Sequence, residues 1–328
     1  VGIFVYYKLL FPKRESYQSM RPGKTSPFLD ESPGPWYGCC SNEKEAWTAM
    51  ELTKEDVARY FPKRRADAHK GDFGKLLLLC GSRGYTGAPY FAAMGALRVG
   101  AGLVYLGVPE SIYGIEAVKL HEPVVFPLPE CGGQLSEGAL EELLLRLPRM
   151  DAVLIGPGLG LGAGCFRVLE AVLRHAACPV VVDADGITLL SRHMDILRGR
   201  TAPTVLTPHD GEFARLFGPV GPDRMESAQK AAVESGSVVL LKGHRTCITD
   251  GTRAFINPTG NPGMAVGGSG DVLAGIITGL LGQGIAPVEA AALGAWLHGA
   301  AGDLCARELG EYGMLPSDLL EALPRLLK

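Results

Sequence analysis

Six short, largely apolar runs constrain this chain more than any other feature. Lys75–Cys80, Leu103–Val108, Ala152–Ile155, Val180–Val182, Thr204–Leu206 and Val238–Leu241 are three to six residues long and show no polar alternation. A strand with one wet face alternates, whereas a run that is apolar throughout belongs to a strand buried on both faces. Helical patterns lie between several of the runs, over 89–99, 166–176 and 227–234. Strands alternating with helices predict an α/β fold, a mostly parallel central sheet with helices on both faces. Residues 246–249 and 253–256, joined by Asp250-Gly251, read as a β-hairpin closed by a favoured turn. Beyond it the chain is helical over 272–281, over 287–309 and from Ser317.

One domain is therefore expected over residues 51–328, preceded by a disordered extension or linker over residues 1–50. Val1–Phe11 is apolar and aromatic but too short to span a bilayer, and it carries Lys8. Residues 12–41 are rich in Pro, Gly, Ser and charge without periodicity.

Open α/β sheets bind ligands where the carboxyl ends of strands meet loops. Here those ends carry Gly81–Ala88, Gly156-Pro157-Gly158-Leu159-Gly160, Asp183-Ala184-Asp185-Gly186, Thr207–Glu212 and Lys242–Thr246. The densest motif is Asn261–Gly275, which gathers Gly263, Gly267, Gly268 and Gly270 before Asp271 and then runs into the apolar helix. Glycines let backbone N–H groups approach an anion, and the helix adds its positive end. A carboxylate there opposes an anion unless it removes a proton from a hydroxyl facing a phosphate. The plainer alternative is that Asp271 caps the helix and the glycines only loosen the loop.

Composition narrows the functional classes. The 328 residues are 47% hydrophobic and 20% charged, as in a globular protein with a sizeable core. A net charge of -3 provides no broad basic surface for nucleic acid or an anionic membrane. The 8 cysteines fit neither a zinc site nor a disulfide framework, and a reducing, cytoplasmic setting is expected.

The ordered set from Lys70-Gly71-Asp72-Phe73-Gly74 through Gly156–Gly160 and Asp183-Ala184-Asp185 to the Asp271 loop resembles the NAD(P)H-hydrate dehydratase family. The resemblance spans residue 51 to the end and implies a ribokinase-like fold. It implies nucleotide-dependent repair, in which a nicotinamide ring damaged by hydration (NADHX or NADPHX) is dehydrated back to NADH or NADPH. ADP is the donor in the bacterial branch and ATP in the eukaryotic one; Pro208-His209 with Gly211-Glu212 looks like the bacterial form. Matched by motif, the hydrate-binding positions fall on Ala88, Gly160, His209 and Asp271, and the nucleotide-binding positions on Lys242, Gly243, His244, Arg245, Thr246 and Gly270. Asp271 is the expected catalytic base. Mg²⁺ is expected to bridge the nucleotide phosphates with few dedicated protein ligands, and a homo-oligomer such as a tetramer is expected. Residues 1–50 do not resemble the epimerase domain of the bifunctional members.

Plainer roles stand beside these. Lys242 also reads as a solvated strand-end lysine, His209 as structural, Glu212 as a helix cap, and Trp296 and His298 as core. A ribokinase-like kinase of a small alcohol, such as hydroxymethylpyrimidine or hydroxyethylthiazole, would carry a similar Gly-rich loop and Asp. A non-catalytic nucleotide-binding module would gain from a neutral residue at position 271.

Overall fold

The computed structural model describes residues 49–327. The expectation for residues 1–50 lies almost wholly outside that range. Its boundary moves slightly: Met50 donates from its N–H to the Ala254 carbonyl and accepts from Ile256 N, both at 2.9 Å, so the folded body includes it.

The elements follow in chain order: α1 (Lys54–Ala58), β1 (Lys75–Leu79), α2 (Gly87–Arg98), β2 (Leu103–Pro109), α3 (Glu110–Lys119) and β3 (Val124–Leu128). A small hairpin, β4 (Glu130–Cys131) and β5 (Gln134–Leu135), leads to α4 (Leu140–Arg146), β6 (Ala152–Ile155) and α5 (Ala163–His175). Then come β7 (Val180–Val182), α6 (Asp185–Leu190), α7 (Asp195–Arg198), β8 (Thr204–Leu206), α8 (Asp210–Phe217), α9 (Arg224–Ser235) and β9 (Val238–Leu241). The chain closes with β10 (Cys247–Thr249), β11 (Ala254–Ile256), α10 (Ser269–Gly282), α11 (Pro287–Leu309) and α12 (Pro316–Leu326).

Nine strands form one sheet in the order β11-β10-β9-β8-β7-β6-β1-β2-β3. Every pairing from β9 through to β3 is parallel, and only β9–β10 and β10–β11 are antiparallel. The expected α/β architecture is present, and all six apolar runs are strands. The reason is visible in β1, where Leu76, Leu77, Leu78 and Leu79 are all 0% exposed. Leu76 and Leu78 pack into the core shared with α2, α10 and α11, while Leu77 and Leu79 face the core shared with α4, α5 and α6. Successive side chains point to opposite faces, so a sheet covered on both sides favours apolar residues at successive positions.

α10 crosses α2 at close range because glycines line the contact. A methyl group on Gly95 would fall 2.6 Å from the Val272 carbonyl oxygen, one on Gly279 would fall 2.8 Å from that of Ala96, and one on Gly275 would overlap that of Ala92. This crossing sets where the first turn of α10, with Asp271, emerges beside β1.

The sequence did not foretell α1, α3, α4, α6, α7, β3 or the β4–β5 hairpin. β3 reads poorly because it is an edge strand with Val124 and Pro127 exposed, and β4 and β5 have two residues each, too few to display a period.

Candidate active site

The Asn261–Gly270 loop is held by the helix behind it. Asn261 Oδ1 accepts from Gly263 N and its Nδ2 donates to Asp303 Oδ1, each at 3.0 Å, while Gly260 N donates to Asp303 Oδ2, also at 3.0 Å. Gly268 then takes a left-handed φ of +100°, and a side chain there would meet the Phe91 ring at 2.7 Å. Ser269 N is taken by Val266 O and Val272 N by Gly268 O, both at 3.2 Å, which leaves the Gly270 and Asp271 N–H groups of this first turn for an anion. Ser269 Oγ lies 3.1 Å from His298 Nε2. Burial pushes the His298 ring down to about 4, so it is neutral at physiological pH. His298, expected in the core, is half-buried, and it bonds to the residue that starts the helix.

Asp271 stands partly buried in that first turn. Burial comes first, with the Asp183 charge second, in raising its carboxyl from 3.8 to about 7; Lys242 opposes and Asp185 adds to the rise. A carboxyl at that level suits a general base at neutral pH.

Lys242, at the end of β9, is drawn inward: its Nζ lies 2.8 Å from Asp183 Oδ1 and 3.6 Å from Glu212 Oε2. Asp183 is 2% exposed and Glu212 8%, so two buried carboxylates share one ammonium. Burial alone would depress the lysine, but the two acids outweigh it and hold its pKa above the usual value. The solvated strand-end lysine is thus corrected; it is an interior cation reaching the foot of the glycine loop. The Gly243–Thr246 turn is closed by Thr246 Oγ1 donating to Gly243 O at 2.9 Å. Gly243 and His244 are exposed. Arg245, at a left-handed φ of +55°, pairs with Glu51.

On the other flank, Gly156, Gly158 and Gly160 all have positive φ. A methyl group on Gly158 would fall 3.1 Å from Ala88 Cβ, so Ala88 and this loop form adjacent walls. Gly160 N donates to Asp185 Oδ2 at 2.8 Å, and Gly162 N to Gln134 Oε1 at 2.9 Å. His209 caps α8: its Nδ1 accepts from Gly211 N at 3.0 Å and Glu212 N at 3.2 Å, while Glu212 Oε2 accepts from His209 N at 2.9 Å. With Nδ1 accepting these bonds, Nε2 is the ring nitrogen left to donate; it lies 3.5 Å from Glu212 Oε1 on a side chain 55% exposed. The structural role expected of His209 is present as this cap.

These groups converge on the carboxyl ends of the strands, apart from a cavity of about 180 Å³ at the β11 edge lined by Met50, Tyr60, Phe255 and Glu289. Among the described residues no cluster of three or more His, Cys, Asp or Glu could hold a metal ion, and none of their helices is long and apolar enough to cross a membrane.

A family model for NAD(P)H-hydrate dehydratase matches residues 76–325. This chain belongs to that family. A bifunctional NAD(P)H-hydrate repair enzyme of Moorella thermoacetica is 49% identical over 284 residues, covering 84% of this chain and 53% of that protein. The chain thus spans about half the length of several curated relatives it matches. An ADP-dependent (S)-NAD(P)H-hydrate dehydratase of Cenarchaeum symbiosum is 36% identical, with 85% and 97% covered. Among solved structures, the ADP/ATP-dependent NAD(P)H-hydrate dehydratase of Bacillus subtilis, co-crystallised with ATP and Mg²⁺, superposes with a TM-score of 0.74 at 31% identity over 86% of this chain and 98% of that one. A ribokinase-like superfamily protein of Enterococcus faecalis superposes equally well, with a TM-score of 0.74 at 32% identity, so the expected fold family holds.

Three participants escaped the sequence reading: Asp183 as the partner of Lys242, Glu212 as a second acid on the same ammonium, and Gln134 as a brace of the Gly162 end of the loop. Glu212 does close a cap, as expected, and the local pattern His209-x-x-Glu212 marks that cap alone. Arg224 is a fourth, since its Nη2 donates to the Lys242 carbonyl at 2.9 Å. A methyl group on Gly243 would fall 2.7 Å from that nitrogen. Gly243→Val should therefore displace Arg224 and crowd the turn, and calorimetric titration with ADP should show affinity lowered by about tenfold or more, about 1.4 kcal/mol. Unchanged affinity would remove this turn from the nucleotide site.

Proposed function

We propose that this chain dehydrates hydrated NADH and NADPH back to the intact dinucleotides, consuming ADP in preference to ATP. The observation that carries the reading is a carboxylate with a pKa near 7 at the glycine-rich start of a helix, beside an interior lysine. Hydroxide is a poor leaving group, so a phosphoryl group is first transferred to the ring hydroxyl. The oxygen–phosphorus bond forms as the donor's terminal phosphoanhydride bond breaks, and the hydroxyl proton passes to Asp271. The ring-nitrogen lone pair then expels inorganic phosphate, and a ring proton is lost to restore the reduced nicotinamide.

The chain's own groups supply orientation and charge. The Gly270 and Asp271 N–H groups face the transferring phosphoryl oxygens, and Lys242 supplies positive charge at the nucleotide. Ala88, Gly158 and Gly160 wall the hydrate, and His209 Nε2 donates to it. Mg²⁺, when bound, neutralises phosphate charge and is held chiefly by the nucleotide itself. The names of the Cenarchaeum symbiosum and Neisseria meningitidis relatives favour ADP. We further propose a cytoplasmic homo-oligomer; the six described cysteines are all free thiols, in keeping with a reducing compartment.

A kinase of a small alcohol is the second reading. Its likeness to the hydroxyethylthiazole kinase of Pyrococcus horikoshii, with a TM-score of 0.57 at 20% identity, extends to the fold alone. One assay separates the readings: protein, hydrated NADH, Mg²⁺ and either ADP or ATP, followed by the absorbance of the reduced nicotinamide. Recovery of NADH with ADP and release of phosphate is expected. Absence of turnover with both nucleotides, alongside phosphorylation of a hydroxymethylpyrimidine or hydroxyethylthiazole, would overturn the proposal.

A further inference from the structure

The backbone next to the base abuts an ion pair. A methyl group on Gly270 would lie 3.7 Å from Lys242 Nζ and 4.0 Å from Asp183 Oδ2, so the 2.8 Å Asp183–Lys242 pair abuts the backbone that carries Asp271. Both partners are built in. Asp183 follows β7 and is 2% exposed, while Lys242 follows β9 and is 21% exposed, with Glu212 of α8 at 3.6 Å on its far side.

The other groups facing Asp271 do not share this role. Asp185, in the first turn of α6, spends one oxygen on Gly160 N. Cys80, beyond β1, is fully buried, and burial together with the Asp271 and Asp183 charges raises its thiol well above the usual value, so it is neutral. His298 of α11 is neutral and bonded to Ser269. Lys242 is therefore the cation that acts on Asp271 among the described residues, and Asp183 is the anion that opposes it most strongly.

Resting on the reading of Asp271 as the base, we propose that the Asp183–Lys242 pair sets the basicity of Asp271 from two sides. Asp183 disfavours a second negative charge and so makes Asp271 a stronger base. Lys242 favours that charge and keeps the carboxylate ionised at working pH. A carboxylate left at its ordinary value would be ionised but weakly basic, and one facing only acids would be protonated and idle. Asp183 thus acts through Asp271 as a positioning residue, and Lys242 gains a second duty beside nucleotide phosphate.

The test is the pH dependence of kcat for hydrated NADH at saturating ADP. The parent should lose activity as pH falls through the Asp271 titration. Asp183→Asn, which keeps size and a hydrogen bond to Lys242, should move this acid limb down by about 1–2 pH units and lower the plateau rate. Lys242→Met should move the limb up by a similar amount, and Lys242→Arg should return it close to the parent. Should Lys242→Met fail to melt cooperatively, Asp183→Asn decides alone. A uniform loss of rate with the limb unmoved would overturn the inference and leave the pair purely structural. Failure of the underlying reading looks different: no NADH recovery by the parent, or an unchanged acid limb in Asp271→Asn.

Discussion

Replacing Asp271 by Asn should lower turnover of the hydrated dinucleotide by about 10²–10⁴-fold while nucleotide affinity stays equal or rises. Asn matches Asp in size, and position 271 lies inside the first turn with Gly268 at the cap and no side-chain cap bond to lose, so the first turn of α10 survives the exchange. What Asn cannot do is accept the proton released as the ring hydroxyl attacks phosphorus. Binding responds in the opposite sense, because a negative charge leaves the neighbourhood of the phosphates. Turnover and ADP titration on one preparation read both effects. Near-parental turnover would mean that Asp271 is not the base, and the proton would need another acceptor.

The same substitution should raise stability at neutral and alkaline pH. Burial and Asp183 raise the folded carboxyl from 3.8 to about 7. The folded chain then holds a proton that the unfolded chain has released across that interval, so stability falls as pH rises through it. Asn has no proton to lose and avoids the fall. At about 1.4 kcal/mol per pKa unit, the ceiling is roughly 4 kcal/mol above about pH 8 and nothing below about pH 4. Thermal melts across this range should show the variant pulling ahead of the parent only on the alkaline side. A constant offset at all pH values would mean that the carboxyl is not held above its ordinary value.

How far the sequence exposed this molecule depends on the range of each interaction. β1 was legible because Leu76–Leu79 is buried on both faces, and that leaves its mark on adjacent residues. The ligand-facing loops were legible because an apolar run breaking into glycine or polar residues marks a strand end, as at Ile155–Gly156 and Leu241–Lys242. The Asp183–Lys242 bond was not, since its partners are separated by 59 residues and neither segment alone selects the other. Glu212 was half legible: its bond to His209 N spans three residues and reads as a cap, whereas its approach to Lys242 requires β8 and β9 to be neighbours. Gln134 reaches Gly162 from a hairpin too short for any periodic signal. The chemistry of single motifs was therefore readable, and the electrostatic wiring among them needed the sheet order.

Gly275→Val should be strongly destabilising, and it should also disable the site from a distance. α10 and α2 approach so closely that any side-chain carbon on Gly275 would overlap the Ala92 carbonyl oxygen, which belongs to a helix backbone and cannot rotate away. Gly95 and Gly279 extend the same close seam, at 2.6 Å from Val272 O and 2.8 Å from Ala96 O for an added methyl group. Overpacking typically costs about 1–3 kcal/mol where side chains can adjust; here two backbones must separate, so a cost at or above about 3 kcal/mol is expected. For a domain of this size that lowers the melting temperature by at least roughly 6 °C. Gly114→Ala supplies the contrast, because Gly114 lies in α3 with nothing within 4 Å of an added methyl group. There the lost backbone freedom of the unfolded chain should leave stability unchanged or raised by up to about 1 kcal/mol. Asp271 lies one turn before Gly275 on the same helix, so separating the helices also shifts the base relative to Lys242 and Asp183. Turnover measured well below the melting transition should therefore fall in Gly275→Val and hold in Gly114→Ala. A Gly275→Val chain that melts with the parent would mean that this crossing does not set the position of α10.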